Sequence, residues 1–326
     1  MNDLAKSLPI IFFGVDRFPA LPLKKLLEEN YNVRAIFAAP DKDARGGKKI
    51  APVAKVLGEQ YDVPVYQPEK GREILPILEK ITVSDWYQEA ARAGIKPLGV
   101  LVSYGKIIPK EVLDWFAPMP ILNIHPSLLP KYRGSSPVES AILSGDKKTG
   151  VSIIKLVSEM DAGEILAAQE VAIADDETSS SLYGKATEVG WKILQEVIQR
   201  IAEAARAAAN TTSDEASKIL VAATSGVPQD ERLATFTGRF EKRDAGLLDS
   251  ETAAELERKV RAFDENPQAF YVYNGTRMKV LSGKISEARL TSIDIHTSDG
   301  KFYSPTRIVP EGKKAMTVAD YLNGQR

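Results

Sequence analysis

Several residues and motifs that often carry chemistry are missing from this chain of 326 residues. It contains no cysteine, which excludes disulfides, thiolate zinc sites and a cysteine nucleophile. Its two histidines, His125 and His296, argue against a metal site built from imidazoles. No G-x-G-x-x-G follows the first apolar run and no G-x-x-x-x-G-K-[ST] occurs, so we predict neither a nicotinamide cofactor nor a P-loop.

A charge excess of one sign and a long apolar run are also missing. The formal net charge of −1 gives the chain no general attraction to nucleic acid or to anionic membranes, so any such contact must come from a local patch. The apolar run near the amino end, Leu8 to Phe13, is too short for a signal peptide core or a membrane span. We therefore expect a cytoplasmic protein without a membrane segment.

Strand-like and helix-like segments alternate from residue 8 to residue 175, and this alternation predicts a Rossmann-like α/β domain with a largely parallel sheet covered on both faces. The apolar runs lie at 9–15, 33–39, 63–66, 98–104, 121–124 and 151–156, and helical patterns lie between them at about 20–29, 50–60, 71–92, 109–115 and 136–144. A long helix is expected from Ser181 to about Ala209.

The chain changes character after this helix. Residues 210–234 begin with Asn-Thr-Thr-Ser-Asp and have the composition of an exposed linker. Residues 235–326 contain a helical piece near 251–263 and then short β-like runs separated by Asn-Gly, Ser-Gly and Asp-Gly, which predicts a small OB-like β-barrel. The expected division is thus a domain at 1–209, a linker at 210–234 and a barrel domain at 235–326.

A polar pair stands where one predicted strand ends. The strand at 121–124 runs into a loop containing Pro126 and Pro130, and Asn123 and His125 leave the same face because they are two residues apart. Ser136, Pro137 and Glu139 then have the spacing of a helix start with a capping box. Open α/β sheets bind ligands at such strand ends.

A carboxylate follows the next predicted strand. Asp161 comes after the run at 151–156 and before Gly163, so it too is expected at a strand end, within reach of His125. Taken singly, each of these three residues is more often an ordinary turn or strand-end residue. Together they suit direct acyl transfer, because an amide can donate to an oxyanion, an imidazole can move protons and a carboxylate can orient the imidazole.

Two motifs resemble the signature of the 10-formyltetrahydrofolate-dependent formyltransferases. They are NIHPSLLPKYRG from Asn123 to Gly134, and TGVSI from Thr149 followed by DAGEI from Asp161. Four further stretches resemble the branch of this family that formylates methionyl-tRNA, namely PDKDARGGKK (40–49), QPEK (67–70), RAFDENPQAF (261–270) and PEGKKAMTVAD (310–320).

This resemblance implies specific roles. Asn123, His125 and Asp161 match the catalytic trio. The binding site of the donor, 10-formyltetrahydrofolate, would be lined by the loop residues Ser127, Leu128, Leu129, Pro130 and Gly134. The resemblance also implies that Arg45, Lys48 and Lys49 contact the tRNA acceptor end, although Arg45 precedes the glycine pair rather than lying within it. The β-barrel would grip methionyl-tRNA, although residues 235–326 hold 15 Lys and Arg against 13 Asp and Glu. No metal is implied, and a monomer is expected.

Two other functions remain open at this point. A nucleotide-sugar amine formyltransferase would use the same trio and the same donor with another acceptor, and the 41–49 and 310–320 stretches argue against it. A non-catalytic RNA-binding protein with a relic formyltransferase domain is the second alternative. The presence of all three chemical residues argues against a relic.

Overall fold

The computed structural model describes residues 3–15, 17–43, 49–209 and 211–325. The β-strands are β1 (Ile10–Gly14), β2 (Val33–Phe37), β3 (Lys42–Asp43), β4 (Lys49–Ile50), β5 (Val65–Tyr66), β6 (Leu98–Val102), β7 (Ile121–His125), β8 (Arg133–Gly134), β9 (Lys148–Lys155), β10 (Ile165–Ala172), β11 (Phe236–Thr237), β12 (Phe270–Tyr273), β13 (Thr276–Ser286), β14 (Ile295–His296), β15 (Phe302–Pro310) and β16 (Met316–Thr317). The α-helices are α1 (Asp3–Ser7), α2 (Arg17–Glu28), α3 (Val53–Gln60), α4 (Ile74–Ile81), α5 (Asp85–Arg92), α6 (Lys110–Phe116), α7 (Pro137–Leu143), α8 (Ser179–Ala208), α9 (Ser213–Thr224), α10 (Ala253–Ala262) and α11 (Val318–Asn323).

A seven-stranded sheet with the order β10-β9-β7-β6-β1-β2-β5 forms the centre of the first part of the chain. The strands from β7 to β5 run parallel to one another, and β9 pairs antiparallel with β7. Strands β1, β6 and β7 are buried along their whole length, as expected for a sheet covered on both faces. The predicted largely parallel α/β sheet is confirmed.

Successive residues of β1 contribute to different cores. Ile10 and Phe12 belong to one apolar cluster, which also contains Leu194 and Ile201 of α8. Ile11 and Phe13 belong to a second cluster with α4 and α6. This alternation follows from the two-residue repeat of a strand, and it shows that helices cover both faces of the sheet.

The chain divides into two compact units. The first comprises residues 1–133, 150–170 and 186–234, and the second comprises 134–149, 171–185 and 235–326. Within the second unit, Arg258 Nε donates to the Leu143 carbonyl oxygen over 2.9 Å, and Asp264 accepts a hydrogen bond of 2.6 Å from the Ser179 hydroxyl. Two short segments that precede the carboxyl-terminal residues in the sequence therefore pack with those residues.

The carboxyl-terminal sheet has the order β12-β13-β15-β14, and β16 pairs with β15. All its pairings are antiparallel within the described residues, and the sheet curls into a half-barrel, so the predicted small barrel is confirmed in this form. Asn274 and Gly275, both with positive φ, form the predicted turn between β12 and β13. The predicted turn at Ser282-Gly283 is wrong: both lie inside β13.

The predicted capping box at α7 is also wrong. Ser136 occupies the N-cap position and Pro137 the first turn, but within the described residues the Ser136 side chain makes no capping hydrogen bond. The Ser136 backbone N–H instead donates to the Thr237 hydroxyl over 3.0 Å. Glu139 accepts a hydrogen bond from the Tyr183 hydroxyl over 3.2 Å, and burial raises the pKa of Glu139.

Residues 211–234, expected as an exposed linker, contain helix α9. Its Leu220 is buried, and Ala216 and Ile219 pack against the same apolar cluster that includes Ala205 and Ala208 of α8. Among the described residues, no helix is both long enough and apolar enough to cross a membrane.

Candidate active site

Strand β7 carries the first two predicted residues to one edge of the sheet. Asn123 and His125 are 7% and 4% exposed, and their ladder partners on β9 are Ile154 and Ser152. Because the two residues are two apart on an extended strand, both side chains leave the same face. The strand ends at His125, and Pro126 follows it.

Asp161 lies on the turn that joins β9 to β10. Its φ is 51°, a left-handed conformation that aspartate tolerates better than most residues with a side chain. Gly163 follows, and a Cβ there would lie 1.7 Å from the Lys155 carbonyl oxygen, so only glycine fits. The turn thus folds back tightly against the end of β9 and holds the Asp161 carboxylate beside β7.

The three predicted residues meet. The Asn123 side-chain amide donates to Asp161 Oδ1 over 3.1 Å, and His125 Nδ1 lies 3.6 Å from Asp161 Oδ2. An amide nitrogen carries two hydrogens, and the bond to Asp161 uses one of them. In the part of the chain that the structure describes, no group of three or more His, Asp or Glu side chains is arranged to hold a metal ion.

The second nitrogen of His125 faces the backbone. Nε2 lies 2.9 Å from the Tyr132 carbonyl oxygen, and a carbonyl can only accept, so Nε2 carries a hydrogen in this arrangement. Nδ1 faces a carboxylate, which when ionised also only accepts. Nε2 is thus engaged by the backbone, whereas Nδ1 faces the Asp161 carboxylate from 3.6 Å.

The loop after His125 is held by its own hydrogen bonds. The Ser127 hydroxyl, which is fully buried, donates to the Lys131 carbonyl oxygen over 2.6 Å. Ser152 ties the loop to β9, because its hydroxyl donates to the Ser127 carbonyl oxygen over 2.8 Å and accepts from the Leu129 N–H over 3.2 Å. Leu129 is buried as well, so Leu128 and Pro130, which are partly exposed, give the loop its accessible apolar surface.

Gly134 lies in the second unit, with a φ of 115°. A Cβ at this position would lie 2.1 Å from the Thr237 carbonyl oxygen. Both the backbone conformation and the close approach of Thr237 require glycine here.

The basic loop is described only in part. Arg45 and Lys48 lie outside the described residues, whereas Lys49 is exposed on β4, which pairs antiparallel with β3. The base of this loop is fixed by Asp41, which accepts from the Lys55 ammonium over 2.8 Å and from the Gln67 amide over 2.8 Å. These hydrogen bonds hold the pKa of Asp41 below its ordinary value.

Two residues at the site were not found from the sequence. The Gln229 amide donates to the carbonyl oxygens of Asp161 and Gly163 over 2.7 and 2.8 Å. The buried Arg133 donates in turn to the Gln229 side-chain oxygen. Gln229 falls in the predicted linker and has no motif or periodic pattern that could have singled it out.

Most of the chain matches known protein families in sequence. Residues 8–198 match the family described as formyl transferase, and residues 242–326 match the formyl transferase C-terminal domain. A methionyl-tRNA formyltransferase from Desulfotalea psychrophila is 34% identical over 334 residues, which covers 98% of this chain and 94% of that protein.

Solved structures share the fold. WlaRD, a sugar 3N-formyl transferase determined with dTDP and 5-N-formyl-THF, gives a TM-score of 0.62 at 16% identity and covers 94% of this chain and 99% of its own. HypX from Aquifex aeolicus, determined with tetrahydrofolic acid, gives a TM-score of 0.54 at 18% identity and covers 96% of this chain and 46% of its own. The resemblance inferred from the two motifs is confirmed, and the chain belongs to the formyl transferase family.

Proposed function

We propose that this chain transfers the formyl group of 10-formyltetrahydrofolate to the free α-amino group of methionyl-tRNA. The observation that carries this proposal is the meeting of Asn123, His125 and Asp161 at the end of β7, with separations of 3.1 and 3.6 Å. The choice of acceptor is supported by the Desulfotalea psychrophila relative, a methionyl-tRNA formyltransferase that aligns along nearly the whole chain.

The proposed reaction is a direct transfer between two nitrogens. A carbon–nitrogen bond forms between the amine of the acceptor and the formyl carbon, and the bond from that carbon to the folate nitrogen breaks. The amine loses a proton and the folate nitrogen gains one. Because no residue becomes acylated, the step needs an oxyanion donor and a proton carrier rather than a nucleophile.

Asn123 is proposed as the oxyanion donor. One hydrogen of its amide bonds to Asp161, which fixes the side chain, and the second hydrogen is proposed to bond the oxygen that becomes negatively charged when the amine adds. The residue is 7% exposed, so this hydrogen bond would form largely out of water, where a fixed donor stabilises charge most strongly.

His125 is proposed to carry the proton from the amine to the folate nitrogen on Nδ1, because Nε2 is engaged by the backbone and Nδ1 lies beyond hydrogen-bond distance of Asp161. The Asp161 carboxylate stabilises the charged ring from 3.6 Å, and the Tyr132 carbonyl holds the ring through Nε2. Asp161 would act through His125 and Asn123, since it contacts both.

The donor is proposed to lie against the loop after β7. Leu128 and Pro130 offer partly exposed apolar surface, and Leu129 and the hydroxyl of Ser127 keep the loop in shape. These features fit a flat, partly apolar pteridine ring lying against backbone and aliphatic side chains. No metal takes part in the proposed step.

The acceptor is proposed to be held by the basic loop with Arg45, Lys48 and Lys49 and by residues 235–326. This gives a functional division into a catalytic part at 1–209, a connection at 210–234 and a tRNA-binding part at 235–326. The two compact units cross that division, because 134–149 and 171–185 belong to the second unit. We further propose that the protein acts as a monomer in the cytoplasm and supplies formylmethionyl-tRNA for translation initiation.

A nucleotide-sugar amine is the competing acceptor, because several solved structures with this fold are sugar N-formyltransferases. The test is incubation of the chain with labelled 10-formyltetrahydrofolate and either methionyl-tRNA or a dTDP-linked amino sugar. Label on methionyl-tRNA supports the proposal, and label on the sugar replaces it with the competing function. Label on neither acceptor, in a chain that binds tRNA, would favour a non-catalytic RNA-binding protein.

A further inference from the structure

We infer that Gln229 is a positioning residue. It holds the turn between β9 and β10, called here the Asp161 turn, in place beside His125, and Arg133 fixes the orientation of the Gln229 amide. The inference rests on the proposed formyl transfer, because its readout is the rate of that reaction. It assigns a role to a segment that the sequence indicates to be only a connection between domains.

The side-chain amide of Gln229 binds backbone carbonyl oxygens of the turn. It donates to the Asp161 carbonyl oxygen over 2.7 Å and to the Gly163 carbonyl oxygen over 2.8 Å. These two carbonyls are two residues apart, so a single NH₂ group joins both sides of the turn. The side chain of Asp161 is left to contact Asn123 and His125.

The orientation of this amide is determined by its other neighbour. Arg133 Nε and Nη2 lie 3.1 and 2.9 Å from the Gln229 oxygen, and a guanidinium has donors but no acceptor. The oxygen must therefore face Arg133, which leaves the NH₂ group to face the two carbonyls. A flipped amide would lose all four hydrogen bonds, because its NH₂ group would face the guanidinium donors and its oxygen would face the two carbonyl oxygens.

Arg133 is itself held firmly. It is 2% exposed, and its Nη1 and Nη2 donate to the two carboxylate oxygens of Glu231 over 2.8 and 2.7 Å. A two-pronged pair of this kind fixes the plane of the guanidinium as well as its position. Glu231 therefore orients Arg133, Arg133 orients Gln229, and Gln229 holds the Asp161 turn.

Two features of the Asp161 turn require support from neighbouring residues. Asp161 adopts a left-handed conformation, and such a conformation persists only when the surrounding structure enforces it. Its carboxylate must reach Asn123 and His125 at the same time. A misplacement of about 1 Å in a reacting constellation can reduce a rate by about 10²-fold.

The first test uses Gln229→Met, which keeps the length of the side chain but removes both the donor and the acceptor. We expect kcat to fall by roughly 10- to 100-fold, with the KM for folate donor and for acceptor within about twofold of the parent. Gln229→Glu keeps the acceptor for Arg133 but turns an oxygen toward the two carbonyls, and it should lose at least as much activity. Because Arg133 keeps its acceptor in Gln229→Glu, a loss of activity in that variant reports the lost hydrogen bonds to the turn and not an unpaired Arg133.

The matched control is Arg232→Ala. Arg232 lies in the same short helical turn as Glu231, its side chain is 87% exposed, and it pairs with Asp230 on the surface. Its removal should leave kcat unchanged. Thermal unfolding of all variants reports whether each is folded at the assay temperature.

A double-variant comparison separates positioning from general stability. If Gln229 acts through Asp161, Gln229→Met should lower kcat no further in an Asp161→Ala background, because groups acting as one unit are non-additive. Equal kcat in parent and Gln229→Met, or a loss fully explained by a smaller folded fraction, would overturn the inference while leaving the proposed function standing. A parent chain that formylates neither acceptor would remove the proposed function and this inference with it.

Discussion

Asp161→Asn keeps the shape of the side chain but removes the charge that faces His125. The asparagine oxygen can still accept the 3.1 Å hydrogen bond from Asn123, so the variant isolates the effect of the carboxylate on the imidazole. Nδ1 of His125 lies 3.6 Å from Asp161 Oδ2, and both side chains are largely buried. A charged imidazole therefore loses its nearest negative partner.

The separation sets the size of the effect. Two unit charges about 4 Å apart interact by about 4 kcal/mol at an effective dielectric constant of about 20. Since each 1.36 kcal/mol of barrier is tenfold in rate, the loss of this interaction can lower the rate by about 10³-fold at most. We expect Asp161→Asn to lower kcat by about 10²- to 10³-fold, and His125→Ala to lower it by roughly 10²- to 10⁴-fold.

Single-turnover formylation of methionyl-tRNA by parent, both single variants and the double variant measures the coupling. If Asp161 acts through His125, the double variant should fall within about threefold of His125→Ala alone. Fully multiplicative losses would refute this and show that Asp161 acts on the reactants independently. Donor binding, measured by fluorescence titration, should be alike in all four proteins.

Three further predictions concern individual residues. Asn123→Ala should lower kcat by about 10²- to 10³-fold through the lost oxyanion donor, with the donor KM little changed in steady-state kinetics. Replacing Lys48 and Lys49 by Ala should raise the KM for methionyl-tRNA and flatten its dependence on salt, because fewer counterions are released, while the folate KM stays constant. Hydrogen bonds from Arg133 lower the pKa of Glu231 from its ordinary 4.5, so this pair stabilises the fold above that pH and the stabilisation is lost as the pH falls through the lowered value. Thermal unfolding against pH should therefore show a smaller acid-induced drop in Glu231→Gln than in the parent.

The residues of the site could be predicted from sequence because they stand at or just after the ends of predicted strands. Pro126 stops β7 directly after His125, and the turn with Asp161 follows the adjacent strand β9. The direction of β9 could not be predicted in this way: β9 runs antiparallel to β7, so its last residue, Lys155, lies beside Leu122 and not beside His125. Asp161 reaches Asn123 and His125 because its turn folds back, and not because two strand ends share one edge of the sheet. The parallel sheet itself was visible in the spacing of the apolar runs.

Tertiary contacts decided what the sequence could not show. Ser, Thr and Asp at 211–214 resemble a linker, but the same residues are typical of a helix start, and α9 begins there with Thr212 at its N-cap position. The Ser136 N–H is bound by Thr237, a residue 101 positions away, instead of by Glu139. No local pattern reveals such partners.

One glycine and one glutamine owe their places to residues that are distant in the sequence. Ser282-Gly283 has the composition of a turn, yet Gly283 lies inside β13. Glycine is required there because a Cβ would lie 2.4 Å from the Tyr303 ring. No local pattern marks Gln229, and its hydrogen-bond partners Arg133 and Asp161 lie 96 and 68 positions away. Both residues matter through the neighbours that the fold brings to them.

Formyl transfer to methionyl-tRNA is proposed to depend on Asn123, His125 and Asp161. The most direct measurement is the rate at which parent and His125→Ala convert methionyl-tRNA to formylmethionyl-tRNA, with 10-formyltetrahydrofolate as donor and equal donor binding verified first. We expect product with the parent and a rate roughly 10²- to 10⁴-fold lower with His125→Ala. Equal rates in the two proteins, or no formylmethionyl-tRNA from a parent that formylates a sugar-nucleotide amine instead, would contradict it.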